Sequence, residues 1–95
     1  MKLIKFWASW CSPCGQQTKE FEENPIDVEV MSVNIEEDEE DLASIYKVRS
    51  LPTMILINNE EVINKWVGFT KSKVINDYIN KSPRNTDMSS FIIIV

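Results

Sequence analysis

The chain reads as a small α/β domain of order β-α-β-α-β-β-α, a four-stranded mixed sheet flanked by helices. Three observations predict it. Leu3-Ile4-Lys5-Phe6-Trp7-Ala8 is almost unbroken apolar sequence, the pattern of a strand covered on both faces. Residues 28–35, Val-Glu-Val-Met-Ser-Val-Asn-Ile, alternate well enough for a second strand, and a polar segment able to be helical lies between the two. Apolar runs at 54–57 and 62–67 flank Asn58-Asn59, which signals a hairpin.

Taken in order, the first strand covers residues 2–8 and leads into Trp10-Cys11-Ser12-Pro13-Cys14. Pro13 falls near the first turn of the helix that follows, where its missing N–H costs little. That helix runs through Gln16, Thr18, Phe21 and Glu22 and stops before Asn24-Pro25. Gly15 weakens it by about 1 kcal/mol relative to alanine. After the second strand, the acidic run 36–41 opens a second helix with Leu42, Ile45 and Tyr46 on its inner side. Acidic groups in a first turn suit the positive end of the helix dipole. The run reads as a solvated helix start, with a partner-steering patch as the alternative.

Ser50-Leu51-Pro52-Thr53 ends the second helix, and the hairpin follows. Gly68 breaks its second strand. Thr70 or Ser72 then caps a last helix carrying Val74, Ile75, Tyr78 and Ile79. The domain therefore spans 1–81, with 82–95 as a C-terminal tail. In the tail, residues 82–90 read as linker and Phe91-Ile92-Ile93-Ile94-Val95 as a β-prone end. This end either covers the bare edge of the strand at 28–34, is disordered, or docks in a groove.

Totals narrow the function classes. Ninety-five residues make one domain with a modest core. A net charge of −5 disfavours nucleic acid, whose phosphates want Lys and Arg. No stretch approaches the roughly 20 apolar residues of a membrane span, and the N-terminus lacks a signal-peptide pattern. Two cysteines in one motif do not make a disulfide-stapled secreted scaffold, so the cytoplasm is the expected compartment. Histidine is absent, which removes His-activated nucleophiles and most common catalytic metal sites.

What remains is sulfur. Two thiols three positions apart at a strand-to-helix junction form a reversible redox couple, and the helix dipole with its free N–H groups favours a thiolate there. Thiolates attack disulfides, so the motif implies thiol–disulfide exchange. Cys11, at the exposed helix start, is the expected nucleophile, and Cys14, one turn in, the buried resolving thiol. Backbone N–H groups at Ser12 and Pro13's fixed geometry tune the couple. A metal half-site is the competing reading, but two ligands do not fill a tetrahedral shell.

These residues resemble the thioredoxin family. Phe6-Trp7-Ala8-Ser9-Trp10-Cys11-Ser12-Pro13-Cys14 is similar to its F-W-A-x-W-C-G-P-C segment, with Ser12 for glycine. Tyr46-Lys47-Val48-Arg49-Ser50-Leu51-Pro52-Thr53 is similar to its Y-x-V-x-S-I-P-T segment, and Val67-Gly68-Phe69 fits the third loop of its active-site surface. The likeness covers residues 2 to 81. The family's usual first strand and helix precede the segment that starts here at Lys2, which leaves a core nearer glutaredoxin in outline. Glutaredoxin's own signatures (C-P-Y-C, T-V-P, G-G-x-D) are missing. Lys19 stands where the family has a helix-kinking proline, and Lys5 where it has a buried aspartate that moves protons at the second cysteine.

The resemblance implies a cis peptide bond at Pro52, facing the disulfide and leaving the Leu51 backbone free to pair with an extended substrate. It also implies an apolar docking rim of Trp10, Leu51, Val67, Gly68 and Phe69 around Cys11, with core packing the alternative for Trp10. Lys5 shares strand parity with Leu3 and Trp7. It either points beneath the active site and acts on Cys14, or extends outward to water. The implied activity is a monomeric protein-disulfide reductase with no bound cofactor beyond its Cys11–Cys14 disulfide. Its electrons come from NADPH through thioredoxin reductase, and its clients are disulfide-containing proteins such as ribonucleotide reductase. The rivals are a glutathione-coupled, glutaredoxin-like reductase and a non-catalytic thioredoxin-fold subunit.

Overall fold

The apolar run at the N-terminus becomes β1 (Lys2–Trp7), and the sheet assembles around it. A computed structural model describes residues 1–81; the tail 82–95, with its expected linker and β-prone end, lies outside the described residues. β1 pairs in parallel with β2 (Glu29–Asn34) and antiparallel with β3 (Thr53–Asn58). β3 pairs antiparallel with β4 (Glu61–Val67), giving the order β2-β1-β3-β4. The two central strands are the two most apolar, because both their faces are covered.

Side-chain alternation splits the interior into two layers. Leu3, Met54 and Leu56 face α3 (Ser72–Lys81) through Ile75 and Ile79, with Phe21 of α1 (Ser12–Glu23) packed alongside. Ile4, Phe6, Val33 and Ile55 face the other way, against Leu42, Ala43, Tyr46 and Val48. Each fully buried side chain of this kind contributes about 1.5–3 kcal/mol of transfer free energy. A one-residue slip of β1 would exchange the layers, so burial on both faces pins the register that directs Lys5 toward α1.

α1 runs over the span expected of it. Cys11 is its extended N-cap residue, Pro13 sits in its opening turn, and Asn24 closes it by donating its backbone N–H to Glu20 O at 2.8 Å.

Elsewhere the local structure departs from the sequence reading. The acidic run does not open a helix. Ile35–Glu37 form a 3₁₀ turn, and α2 is only Leu42–Ile45. The cause is Asp38, whose carboxylate accepts the N–H groups of Leu42 (2.9 Å) and Ala43 (2.8 Å) and so starts the helix after the acidic residues. Its far end is set by Lys47 in the left-handed region (φ 59°). Val48 donates to Ala43 O and Lys47 to Ser44 O, the two bonds of a Schellman stop. With so short a helix, Ile45 lies on the surface rather than on the inner side. The hairpin turns at Asn59-Glu60, one residue later than expected, with Asn59 at φ 57°. Neither Thr70 nor Ser72 caps α3 with its hydroxyl. Glu20 does so from α1, its Oε2 accepting Ser72 N–H at 2.9 Å. Ile75 and Ile79 are buried as expected of α3, but Val74 is exposed.

Candidate active site

The strand-to-helix junction after β1 carries the site. Cys11 N–H donates back to Ala8 O at 3.2 Å, a turn that swings the chain from the sheet into α1. Ser9 fastens this turn from outside: its N–H and hydroxyl both donate to Glu36 Oε1, at 3.1 and 2.9 Å. Glu36 thus has a structural task that its place in an acidic run concealed.

Cys11 and Cys14 are joined as a disulfide with Cα atoms 5.3 Å apart. The two sulfurs are not equivalent. Cys11 is half-buried at the helix N-terminus, while Cys14 is 2% exposed and lies within the first turn. Ser12 and Pro13 between them are exposed. Gly15, the next residue, has open space where a Cβ would stand.

Below the pair lies a cleft of ≈ 480 Å³ lined by both cysteines together with Lys5, Trp7, Thr18 and Ser32. Lys5 is buried, so the sheet register places it beneath the active site and not out in water. Its Nζ donates to Thr18 Oγ1, and that hydroxyl donates onward to Cys14 O at 3.2 Å. Burial pushes the Lys5 amine below its ordinary value of 10.5, and attraction to Glu22 offsets only part of that effect.

Two further segments carry the other residues that the sequence singles out. The Leu51–Pro52 peptide is cis, and Pro52 is buried. Pro52 O accepts Gly68 N–H at 2.7 Å, which joins the proline loop to the loop after β4. Gly68 adopts φ +88°, a region that disfavours any side chain. Of the residues expected in a docking rim, Trp10 (68%), Val67 (60%) and Phe69 (42%) are exposed. Leu51 is half-buried and packs on the Ile4–Phe6 layer. Trp10, Val67 and Phe69 are large apolar side chains left in water.

The residue-pattern reading missed Gln17. It is wholly buried, its Nε2 donating to Thr70 O at 2.7 Å and its Oε1 accepting Thr70 N–H at 2.8 Å. Nothing local announces it, because its partner lies 53 residues away.

A family model described as Thioredoxin matches residues 1–81. The chain belongs to the thioredoxin family. It is 38% identical to the thioredoxin of Rickettsia bellii, over 84% of this chain and 79% of that one. With the thioredoxin of Mycoplasma genitalium it shares 33% identity, over 82% and 79%. Among solved structures, thioredoxin-2 of a malaria parasite superposes with a TM-score of 0.72 at 27% identity, covering 84% of this chain and 81% of that one. A thioredoxin variant from Halobacterium salinarum gives 0.73 at 28% identity, covering 93% and 76%.

Sequence, fold and disulfide agree: the protein is a thiol–disulfide oxidoreductase whose redox centre is its own cysteine pair. At the level of the family, its partners are disulfide-containing client proteins and a reductase. Among the described residues no group of His, Cys, Asp and Glu is placed to hold a metal, and no helix is long and apolar enough to cross a membrane.

Proposed function

We propose that the protein works in the reducing direction, as a cytoplasmic, monomeric reductase of protein disulfides. Membership of the thioredoxin family supports the direction, and the difference in exposure between the two cysteines supports the order of the steps. Cys11, accessible at the positive end of α1, attacks a client disulfide as thiolate, forming a mixed disulfide and expelling one client thiolate. Cys14, buried and one turn away, then attacks Cys11 Sγ. The second client thiolate leaves, and the protein is left with its internal disulfide. NADPH restores the dithiol through a thioredoxin reductase, and ribonucleotide reductase belongs to the client class. Ser12 and Pro13 tune the couple through the helix end they build.

Clients lie in extended form across Leu51 and Pro52, with Trp10, Val67, Gly68 and Phe69 as the apolar rim. Lys5 serves the second step. The fraction of its amine that burial leaves neutral takes the Cys14 proton through the shared cleft, and the ammonium so formed stabilises the Cys14 thiolate.

The first test is the reduction potential of the Cys11–Cys14 pair, read by thiol alkylation in defined dithiol buffers. A value in the range of known thioredoxins is expected. A markedly higher one would defeat the reductase reading in favour of glutathione coupling or an oxidising role. Cys11→Ser separates catalysis from scaffolding: reduction is abolished if the reading holds, and retained cellular function would mark a non-catalytic subunit.

A further inference from the structure

The amide of Gln17 makes a two-point clamp on a backbone segment far along the chain. Its donor and acceptor meet Thr70 O and Thr70 N–H at 2.7 and 2.8 Å, so the orientation of the loop is fixed as well as its distance. The amide is wholly buried, and these two bonds satisfy it. From Thr70 the linkage continues: its Oγ1 donates to Gly68 O at 3.0 Å, and Gly68 N–H donates to Pro52 O at 2.7 Å. One run of hydrogen bonds therefore joins α1, the 68–70 loop and the cis-proline loop. Gln17 is its anchor on the helix that bears both cysteines, three residues beyond Cys14.

Before Gly68 the chain is held by the β4 ladder, where Val67 pairs with Thr53, and beyond the Gly68–Pro52 bond the loop has no apolar anchor. Val67 and Phe69 are exposed, and neither belongs to a core layer. A side chain that merely filled the space of Gln17 would leave Thr70 N–H and C=O without these partners and let the loop drift. Glu20, one turn further along α1, still holds Ser72 N–H, so α3 would stay docked.

We infer that Gln17 is a positioning residue for client docking, its clamp on Thr70 holding Gly68 and Phe69 in place relative to Cys11. The inference rests on the disulfide-reductase reading and adds a determinant of substrate class. A protein disulfide must align its flanking chain on this loop before Cys11 reaches the sulfur, so a drifting loop raises the cost of docking. A small disulfide needs only the Cys11 sulfur. Gln17 therefore favours protein disulfides over small ones without touching either.

The experiment measures Gln17→Met in the full chain with two substrates: insulin, with dithiothreitol as recycling reductant, and the small aromatic disulfide dithiobis-nitrobenzoate, in a single turnover with pre-reduced protein freed of excess reductant. KM for insulin should rise about tenfold with kcat kept, the scale expected when paired backbone groups lose their partner. The small-disulfide rate should stay at the parent value, and hydrogen-exchange protection of Thr70 N–H should be lost. An unchanged insulin KM, or an equal fall with both substrates, overturns the positioning role. Thr70→Val cuts only the hydroxyl link to Gly68 and provides the same test if the first variant does not fold. It should raise the insulin KM by a smaller factor, and no rise counts against the inference. A parent chain that reduces neither substrate would defeat the reductase reading itself, an outcome distinct from all of these.

Discussion

The two layers that enclose the sheet are fastened by different kinds of contact. On the α1–α3 side, side chains reach across the sequence: Gln17 to Thr70, Glu20 to Ser72, Asn76 to Asp27, and Asn80 to Asp27. On the α2 side, Lys65 Nζ reaches Lys47 O at 3.2 Å, but the helix itself is fastened locally. Asp38 holds Leu42 and Ala43 only four and five residues on, and a Schellman stop closes the helix within the next few. Both disulfide cysteines, and the buried polar side chains Lys5 and Gln17, belong to the first layer. The second buries mainly apolar groups against the sheet, and its one wholly buried polar side chain, Thr53, bonds locally to Ser50 O. The layer that does chemistry is thus held in place mainly by remote polar contacts, while the other is a cover whose helix is shaped by its own neighbours. Substitutions that cut the polar contacts of the first should move reactivity, and those in the second should move stability alone.

The largest expected effect tests the chemical layer. Lys5→Met should slow resolution of the mixed disulfide on the order of 100-fold near pH 7, the lower end of what a positioned base supplies. The deficit should shrink as pH climbs toward the ordinary cysteine value of about 8.5, where hydroxide ionises Cys14 unaided. Stopped-flow trapping of the mixed disulfide measures both, and a rate equal to the parent at every pH would remove Lys5 from the mechanism. The same substitution carries a stability prediction with a definite sign. The folded-state amine lies below 10.5, so between that lowered value and 10.5 the unfolded chain binds more protons and stability rises with pH. Below the window, burying the charge is a standing cost that methionine does not bear. Lys5→Met should therefore be the more stable protein in urea at pH 7, with its advantage fading as pH rises toward 10.5. An advantage independent of pH would mean that packing, not charge burial, is responsible.

The cover layer should respond in the opposite sense. Asp38→Ala deprives Leu42 and Ala43 N–H of their acceptor and should cost about 1 kcal/mol, as the loss of a helix-capping side chain does. Insulin reduction should be unaffected at temperatures where the variant is folded. A loss of turnover without a loss of stability would erase the distinction between the layers.

The same contrast explains what could be read from the sequence. Strand β1, the paired cysteines and α1 were legible because their signals are local: an apolar run, a thiol pair, and a proline at a helix start. The burial of Lys5 beneath the cysteines was half-legible, since strand parity pointed it there but parity alone does not separate burial from an outward reach. Gln17 and Glu20 were illegible, because a glutamine or glutamate on a helix looks solvent-facing until a partner some fifty residues away is in place. The acidic run misled for a different reason. Favourable charge near a helix dipole is a weak preference, and one aspartate bonding two backbone N–H groups outweighed it and moved the helix start to Leu42.

The smallest prediction lies at the seam between chemistry and stability. Gly15 is exposed inside α1, directly after Cys14, and an added Cβ would meet nothing within 4 Å. Gly15→Ala should stabilise the protein by about 0.5–1 kcal/mol, because alanine loses less backbone entropy in a helix interior. Gly15 also lines the cleft beneath the cysteines, but it supplies none of the side-chain contacts that hold that layer. If the loop and cleft are held by remote polar contacts rather than by helix stability, a stiffer α1 should leave insulin turnover unchanged while the urea midpoint rises. If turnover falls as the midpoint rises, flexibility at the start of α1 is part of the exchange step, and the rigid clamp at Gln17 is balanced by a segment that must move.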